Sequence, residues 1–144
     1  MTRNRNGQTD PWVMHRMAML ESAAWRSLTL AARLVLDRLE IEHMRHYGKR
    51  NGNLIVTYDQ FLAHTGRKRR HLVAAAIKQL EQLGFLEIVE RGKWNAGKDR
   101  RASRYRLTYL PTADKPATDE WRSSVTKTSP RILTSVTKTS LRHR

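Results

Sequence analysis

The chain has no cysteine, so it can form neither disulfides nor thiolate metal sites. It has no apolar run approaching the ~18 residues that a membrane-spanning helix needs. Its opening segment, MTRNRNGQTDPW, carries charge but no apolar stretch of the kind a targeting peptide uses. It is also short of acids, with 13 Asp and Glu against 28 Lys and Arg and a formal net charge of +15. That balance favours polyanionic partners, nucleic acid before an acidic membrane surface, and no membrane association is expected. At 144 residues the chain has room for one domain with a real core, plus tails.

Groupings that would carry out a reaction are missing as well. Gly92-Lys93-Trp94-Asn95-Ala96-Gly97-Lys98-Asp99 nearly spells a phosphate-binding loop, but Asp99 stands where the magnesium-binding hydroxyl is required, and the segment does not open a helix. His43 and His46 are spaced to share a helix face beside Glu42, yet no fourth metal ligand is evident. Glu40 and Glu42 point to different sides of a helix. No nucleophile, base and orienting group cluster in the sequence. The expectation is a non-enzyme with no cofactor, no metal and no catalytic residue.

The most informative stretch runs from Thr65 to Arg91. Val73, Ala76, Ile77, Leu80 and Leu83 recur at three- and four-residue intervals, which predicts a helix burying one stripe. His71, Ala74, Ala75, Lys78 and Gln82 fall on the opposite face, and Gly84 supplies a left-handed stop. Arg67, Lys68, Arg69 and Arg70 crowd the entry turn, where the helix dipole disfavours each cation by roughly 0.3 to 1 kcal/mol. Four cations held against the dipole suggest a phosphate-bearing partner.

Along the rest of the chain, residues 1–12 read as a mobile basic arm, with Arg3 and Arg5 available to DNA. Met14, Met17 and Leu20, followed by Trp25 and Leu28, predict a short amphipathic helix packing its Met face on the domain. Thr29 is the expected N-cap of a long helix reaching about Tyr47, apolar on several sides through Leu30, Leu34, Leu36, Leu39 and Ile41. Such a helix is either the central support of the domain or hides one face in a homodimer. Asn53 to Thr57 alternates like a short strand, and Thr57-Tyr58-Asp59-Gln60 reads as a capping box opening a helix to about His64. With the turn at Gly66 and the helix after it, this makes a helix-turn-helix. Phe85 to Glu90 and the alternating Arg104 to Tyr109 then form a β-hairpin. Its tip, counted from Arg91 to Arg106, holds Arg91, Lys93, Lys98, Arg100, Arg101, Arg104 and Arg106 against Asp99 alone.

This order of elements resembles the winged helix-turn-helix domain of bacterial transcriptional regulators and of plasmid and phage replication initiators. It also resembles small α-proteobacterial winged-helix proteins of unassigned role. The residues that carry the resemblance are Leu54-Ile55-Val56-Thr57, Thr65-Gly66, the run from Val73 to Leu86, and Tyr105-Arg106-Leu107-Thr108, with coverage from about Trp25 to Leu110. It implies a mainly α fold with a small β-hairpin (α+β), a domain over residues 13–110, and a bacterial, cytoplasmic protein associated with the nucleoid or a plasmid. The helix beginning near Lys68 would enter the major groove of double-stranded DNA, and the loop Gly92 to Ser103 would be the wing. Lys68, His71 and one of Arg67 or Arg70 would address base edges, while Ala74 and Ala75 would let the backbone come close. Lys78, Lys93, Lys98, Arg100 and Arg101 would hold phosphates, and Trp94 would stack or pack in the wing. Such domains usually place Ser or Thr at the N-cap of this helix; here the turn reads Gly66-Arg67-Lys68-Arg69-Arg70 and is one residue longer when counted back from Val73. Lys68 and His71 are expected on the exposed face, with Arg69 and Arg70 drifting toward the core edge. Operator binding in transcriptional regulation is the first role implied, origin binding in replication the second, and a protein-interaction module the third.

Residues 111–144 are rich in Ser, Thr and Lys and contain Pro111, Pro116 and Pro130, the composition of a disordered tail. Within it Ser124-Val125-Thr126-Lys127-Thr128-Ser129 recurs as residues 135–140. The duplication is either a linear motif for a protein partner or a repeat in an unconstrained linker. Trp121, alone in polar surroundings, suggests docking of residues 119–122.

Overall fold

The computed structural model describes residues 9–92, 94–95 and 99–123, with backbone alone at 94–95 and 99–100. The helices are α1 (Met17–Leu20), α2 (Ala23–Arg26), α3 (Leu30–Arg45), α4 (Tyr58–Thr65) and α5 (Arg70–Gln82). The strands are β1 (Leu54–Ile55), β2 (Leu86–Glu90), β3 (Trp94–Asn95), β4 (Asp99–Arg100) and β5 (Arg104–Leu107).

Thr29 opens α3 as its sequence suggests, its side chain accepting from the Ala32 amide at 3.1 Å. The helix buries Ala32, Val35, Leu36 and Leu39 and packs against both α4 and α5, so it is the central support within a single chain. Leu30, expected in the core, is 65% exposed at the first turn. Gln79 of α5 fixes the angle between the two helices: its carbonyl oxygen accepts from the Thr29 amide at 3.1 Å, and its amide donates to the Ser27 carbonyl at 3.2 Å.

The amphipathic N-terminal helix expected around Met14, Met17 and Leu20 is not formed. These three residues are exposed, and Met19 is buried instead. The reason is local. Ser22 caps α2 by accepting from the Trp25 amide, which divides the stretch into two four-residue helices and breaks the 3.6-residue phase. Before α1, Pro11, Val13 and His15 turn inward while Trp12, Met14 and Arg16 turn out, the alternation of an extended chain.

The sheet has three antiparallel strands in the order β1-β5-β2, so the short strand after Asn53 joins the hairpin. Leu54 pairs with Tyr105, Leu86 with Leu107 and Ile88 with Tyr105, and the register shifts between Ile88 and Glu90. The chain is thus a mixed α and β fold with a small sheet. Asn51 closes it from below: its side-chain carbonyl accepts from the Leu107 amide at 2.7 Å, and its amide reaches the Leu107 and Leu110 carbonyls at 2.9 and 3.0 Å.

Over residues 111–123 the tail expected from residue 111 onward is not seen. Residues 111–123 lie on the domain, and Trp121 is 4% exposed. The amides of Thr118 and Asp119 both donate to the Thr108 carbonyl, at 2.9 and 3.0 Å. Arg106, whose place in the alternation predicts an outward side chain, is 5% exposed. It binds Glu87 at 2.5 Å on β2, and Thr118 and Glu120 at 2.7 and 3.2 Å on the C-terminal segment. Few large apolar residues are needed to hold this segment, because one buried guanidinium and one indole do so. The duplicated motif at 124–129 and 135–140, and the arm at 1–8, lie outside the described residues.

Candidate nucleic-acid interface

α4 is bounded as its sequence predicts. Thr57 accepts from the Gln60 amide at 3.2 Å, and the Gln60 side chain accepts from the Thr57 amide at 2.9 Å, a reciprocal capping box. Gly66 ends the helix in the left-handed region at φ 69°. The helix that follows starts later than the expected Lys68: α5 begins at Arg70, with Arg69 at the N-cap, so Lys68 lies in the turn and not in the helix.

Arg69 is extended and offers no side-chain cap, and the first turn of α5 contains no acid. The entry therefore presents unsatisfied amide donors and the positive end of the dipole together with Arg67, Lys68, Arg69 and Arg70. Arg70 reaches back to Asp59 of α4 at 2.9 Å, an exposed pair. Arg69 and Arg70 are exposed and do not turn toward the core edge. Arg67 is the half-buried member of the four, and its Nε is buried without a hydrogen-bond partner among the described residues. Its own amide donates to the Thr65 hydroxyl at 3.3 Å.

The buried stripe of α5 is Val73, Ala76, Ile77 and Leu80, as the spacing predicts. His71, Ala74, Ala75, Lys78 and Gln82 are exposed together on the opposite side. No ion pair is found for Lys68, Arg69, His71 or Lys78 among the described residues. The helix closes on a Schellman arrangement, the Phe85 amide donating to the Leu80 carbonyl at 3.0 Å and the Gly84 amide to Glu81 at 3.2 Å.

The hairpin holds part of the expected wing. Arg91 is exposed and reaches Glu81 of α5 at 3.4 Å, while Arg104 lies 3.5 Å from Glu90 on β2. Arg101 is exposed. Trp94 and Arg100 pair across β3 and β4, so the loop expected from Gly92 to Ser103 contains a small ladder of its own. Below that ladder the two chains approach closely: a Cβ at Gly92 would lie 2.1 Å from the Arg101 carbonyl oxygen, and the Gly92 amide donates to Ser103 at 2.8 Å. Lys93 and Lys98 lie outside the described residues, as do the side chains of Trp94 and Arg100.

Behind the interface is a polar network the sequence did not announce. The buried Glu40 of α3 accepts from the Tyr109 hydroxyl at 2.7 Å and bonds the His15 ring. The bond to Glu40 raises the His15 pKa against the opposing effect of burial, and burial drives that of Tyr109 well up. His43, one helical turn along α3, has its pKa lowered by burial. His46 takes Glu42 at 3.3 Å, and among the described residues no three ligating side chains gather as a metal site would require. No helix among them is long and apolar enough to cross a membrane. In comparisons with family models, curated proteins and solved structures, the chain matches none.

Proposed function

We propose that the chain is a winged helix-turn-helix protein that reads double-stranded DNA in transcriptional regulation. α4, the turn at Gly66 and α5 form the helix-turn-helix, α5 enters the major groove, and the β2–β5 hairpin is the wing. The observation that carries this reading is the entry to α5. It has four cations, no acid in the first turn, no side-chain cap and, among the described residues, a single ion pair, to Asp59. Left in water, that turn is destabilised by its own charges; phosphate oxygens would both pair the cations and accept from the free amides.

The exposed face of α5 supports the same conclusion. Ala74 and Ala75 leave it low enough for the helix to approach a groove floor, and either can meet a thymine methyl. His71 on that face, and Lys68 in the turn before it, would address base edges. Arg70, held at 2.9 Å by Asp59, is oriented for a phosphate. Lys78, Arg91, Arg101 and Arg104 extend the cationic surface toward the hairpin.

Replacing Lys68, His71 and Lys78 together with Ala tests the assignment by fluorescence anisotropy on a selected duplex. Two lost base contacts of roughly 1 to 3 kcal/mol each should weaken specific binding at least about tenfold. Loss of the Lys78 phosphate contact should reduce the salt slope by about 0.9. A folded variant with unchanged affinity and slope would remove α5 from the interface.

A further inference from the structure

The Ser22 cap leaves Met14, Met17 and Leu20 on the surface, although their spacing predicts burial. Met17, at 72%, is the most exposed large apolar side chain among the described residues. Apolar side chains gathered in the open mark contact surfaces.

α1 is a single turn, with Arg16 at its N-cap and Glu21 at its C-cap. Helical geometry spreads Arg16, Leu20, Met17 and Glu21, in that order, across an arc of about 140°, and Met19 turns the other way and is buried. All four are exposed, and neither Arg16 nor Glu21 has an ion-pair partner among the described residues. A cation and an anion thus stand on either side of two apolar side chains. Met14, in the extended segment just before α1, carries the apolar surface into a recess of about 260 Å³ lined by Met19, Leu110, Pro111 and Pro116, among others.

Charge decides what can lie against this face. Residues 9–30 carry Asp10 and Glu21 against Arg16 and Arg26, a formal charge of zero within a chain of +15. A polyanion gains nothing here, whereas a second copy of the chain escapes the repulsion it meets elsewhere. The pattern is also its own complement. A twofold axis lying in the face along the line from Met17 to Leu20 exchanges the two charged positions. Arg16 of each copy then faces Glu21 of the other, and Met17 and Leu20 meet their counterparts. We propose that two copies of the chain associate through this face. The contact is small, below about 1,200 Å², so the dimer is weak, with a Kd on the order of 100 µM.

The test is sedimentation equilibrium of the full chain without DNA, from about 10 µM to about 1 mM, and its result is independent of the reading of α5. A reversible monomer–dimer equilibrium is expected. Met17→Ser should weaken it about tenfold, since the twofold axis removes each contact twice. Arg16→Glu and Glu21→Arg should each weaken it about tenfold by setting like charges together, and mixing the two variants should restore dimers, because both pairs are then of opposite sign. All three side chains are exposed, and equal urea midpoints would show that the fold is kept. A monomer at every concentration would overturn the proposal, as would a dimer that Met17→Ser leaves unchanged or a mixture of the charge variants that associates no better than either alone. A nuclear Overhauser contact in such a monomer between the Met17 methyl and a residue after 123 would assign the face to the chain's own C-terminal segment instead.

Discussion

Gly84→Ala should separate a C-terminal segment that is part of the domain from one that merely rests on it. Gly84 has φ +84°, and a Cβ there would lie 2.6 Å from the Glu120 carbonyl carbon and the Trp121 amide nitrogen. The left-handed conformation alone disfavours alanine by about 1 to 2 kcal/mol. The clash adds more, because the obstructing atoms are backbone. Relief requires residues 118–121 to move off, which exposes the indole of Trp121 and breaks the two bonds to the Thr108 carbonyl. Removing a buried aromatic outright destabilises by about 3 to 5 kcal/mol, which bounds the second contribution. Urea unfolding followed by tryptophan fluorescence should therefore give a loss of about 3 kcal/mol or more, with Trp121→Ala in the same range. If Gly84→Ala costs only about 1 kcal/mol and Trp121→Ala costs nothing measurable, the segment does not contribute to the fold.

Thr57→Ala removes the capping box of α4 and should lower stability by about 1 kcal/mol in the same assay. Asn51→Ala leaves the Leu107 amide and two buried carbonyls without their partner, and should cost about 1 to 3 kcal/mol per group that water cannot reach. The two histidines predict opposite pH dependences. The raised pKa of His15 contributes stability that is full below the unfolded value near 6.5 and is lost as pH rises through the folded value. The lowered pKa of His43 works the other way: the buried ring resists protonation, so stability falls as pH drops below about 6.5. Urea midpoints measured across pH 5 to 8 should show a maximum near pH 6.5. In His15→Gln the decline on the alkaline side should disappear.

Local chemistry was legible wherever a residue type acts on its immediate neighbours. Thr29, the Thr57–Gln60 box, Gly66 and Gly84 mark helix ends because each satisfies or releases a particular backbone group within four residues. The stripe Val73, Ala76, Ile77 and Leu80 was legible because a single uninterrupted helix keeps its phase. Where phase is interrupted, the same reasoning failed: the Ser22 cap moved burial from Met17 to Met19. Arg106 shows a different limit. Its alternation placed it with the cations of the hairpin tip, but Glu87 and Glu120, distant in sequence, draw it inside. Trp121 was the visible signal for that part of the fold, since an isolated indole rarely stays in water when a core lies within reach. In the candidate interface, the polarity of the α5 face was legible and the start of the helix was not. A turn without Ser, Thr, Asp or Asn offers no cap to mark it, so Lys68 was counted into the helix it precedes.

Selecting the purified chain against a random duplex library, with salt raised between rounds, decides whether α5 and the hairpin read duplex DNA as proposed. Salt strips away binding that rests on counterion release alone and leaves contacts to base edges. Enrichment of a defined sequence that Lys68→Ala and His71→Ala relax is the predicted result; an inverted repeat would point to an operator and a direct-repeat array to an origin. Loss of all binding at moderate salt with no enriched sequence would contradict it.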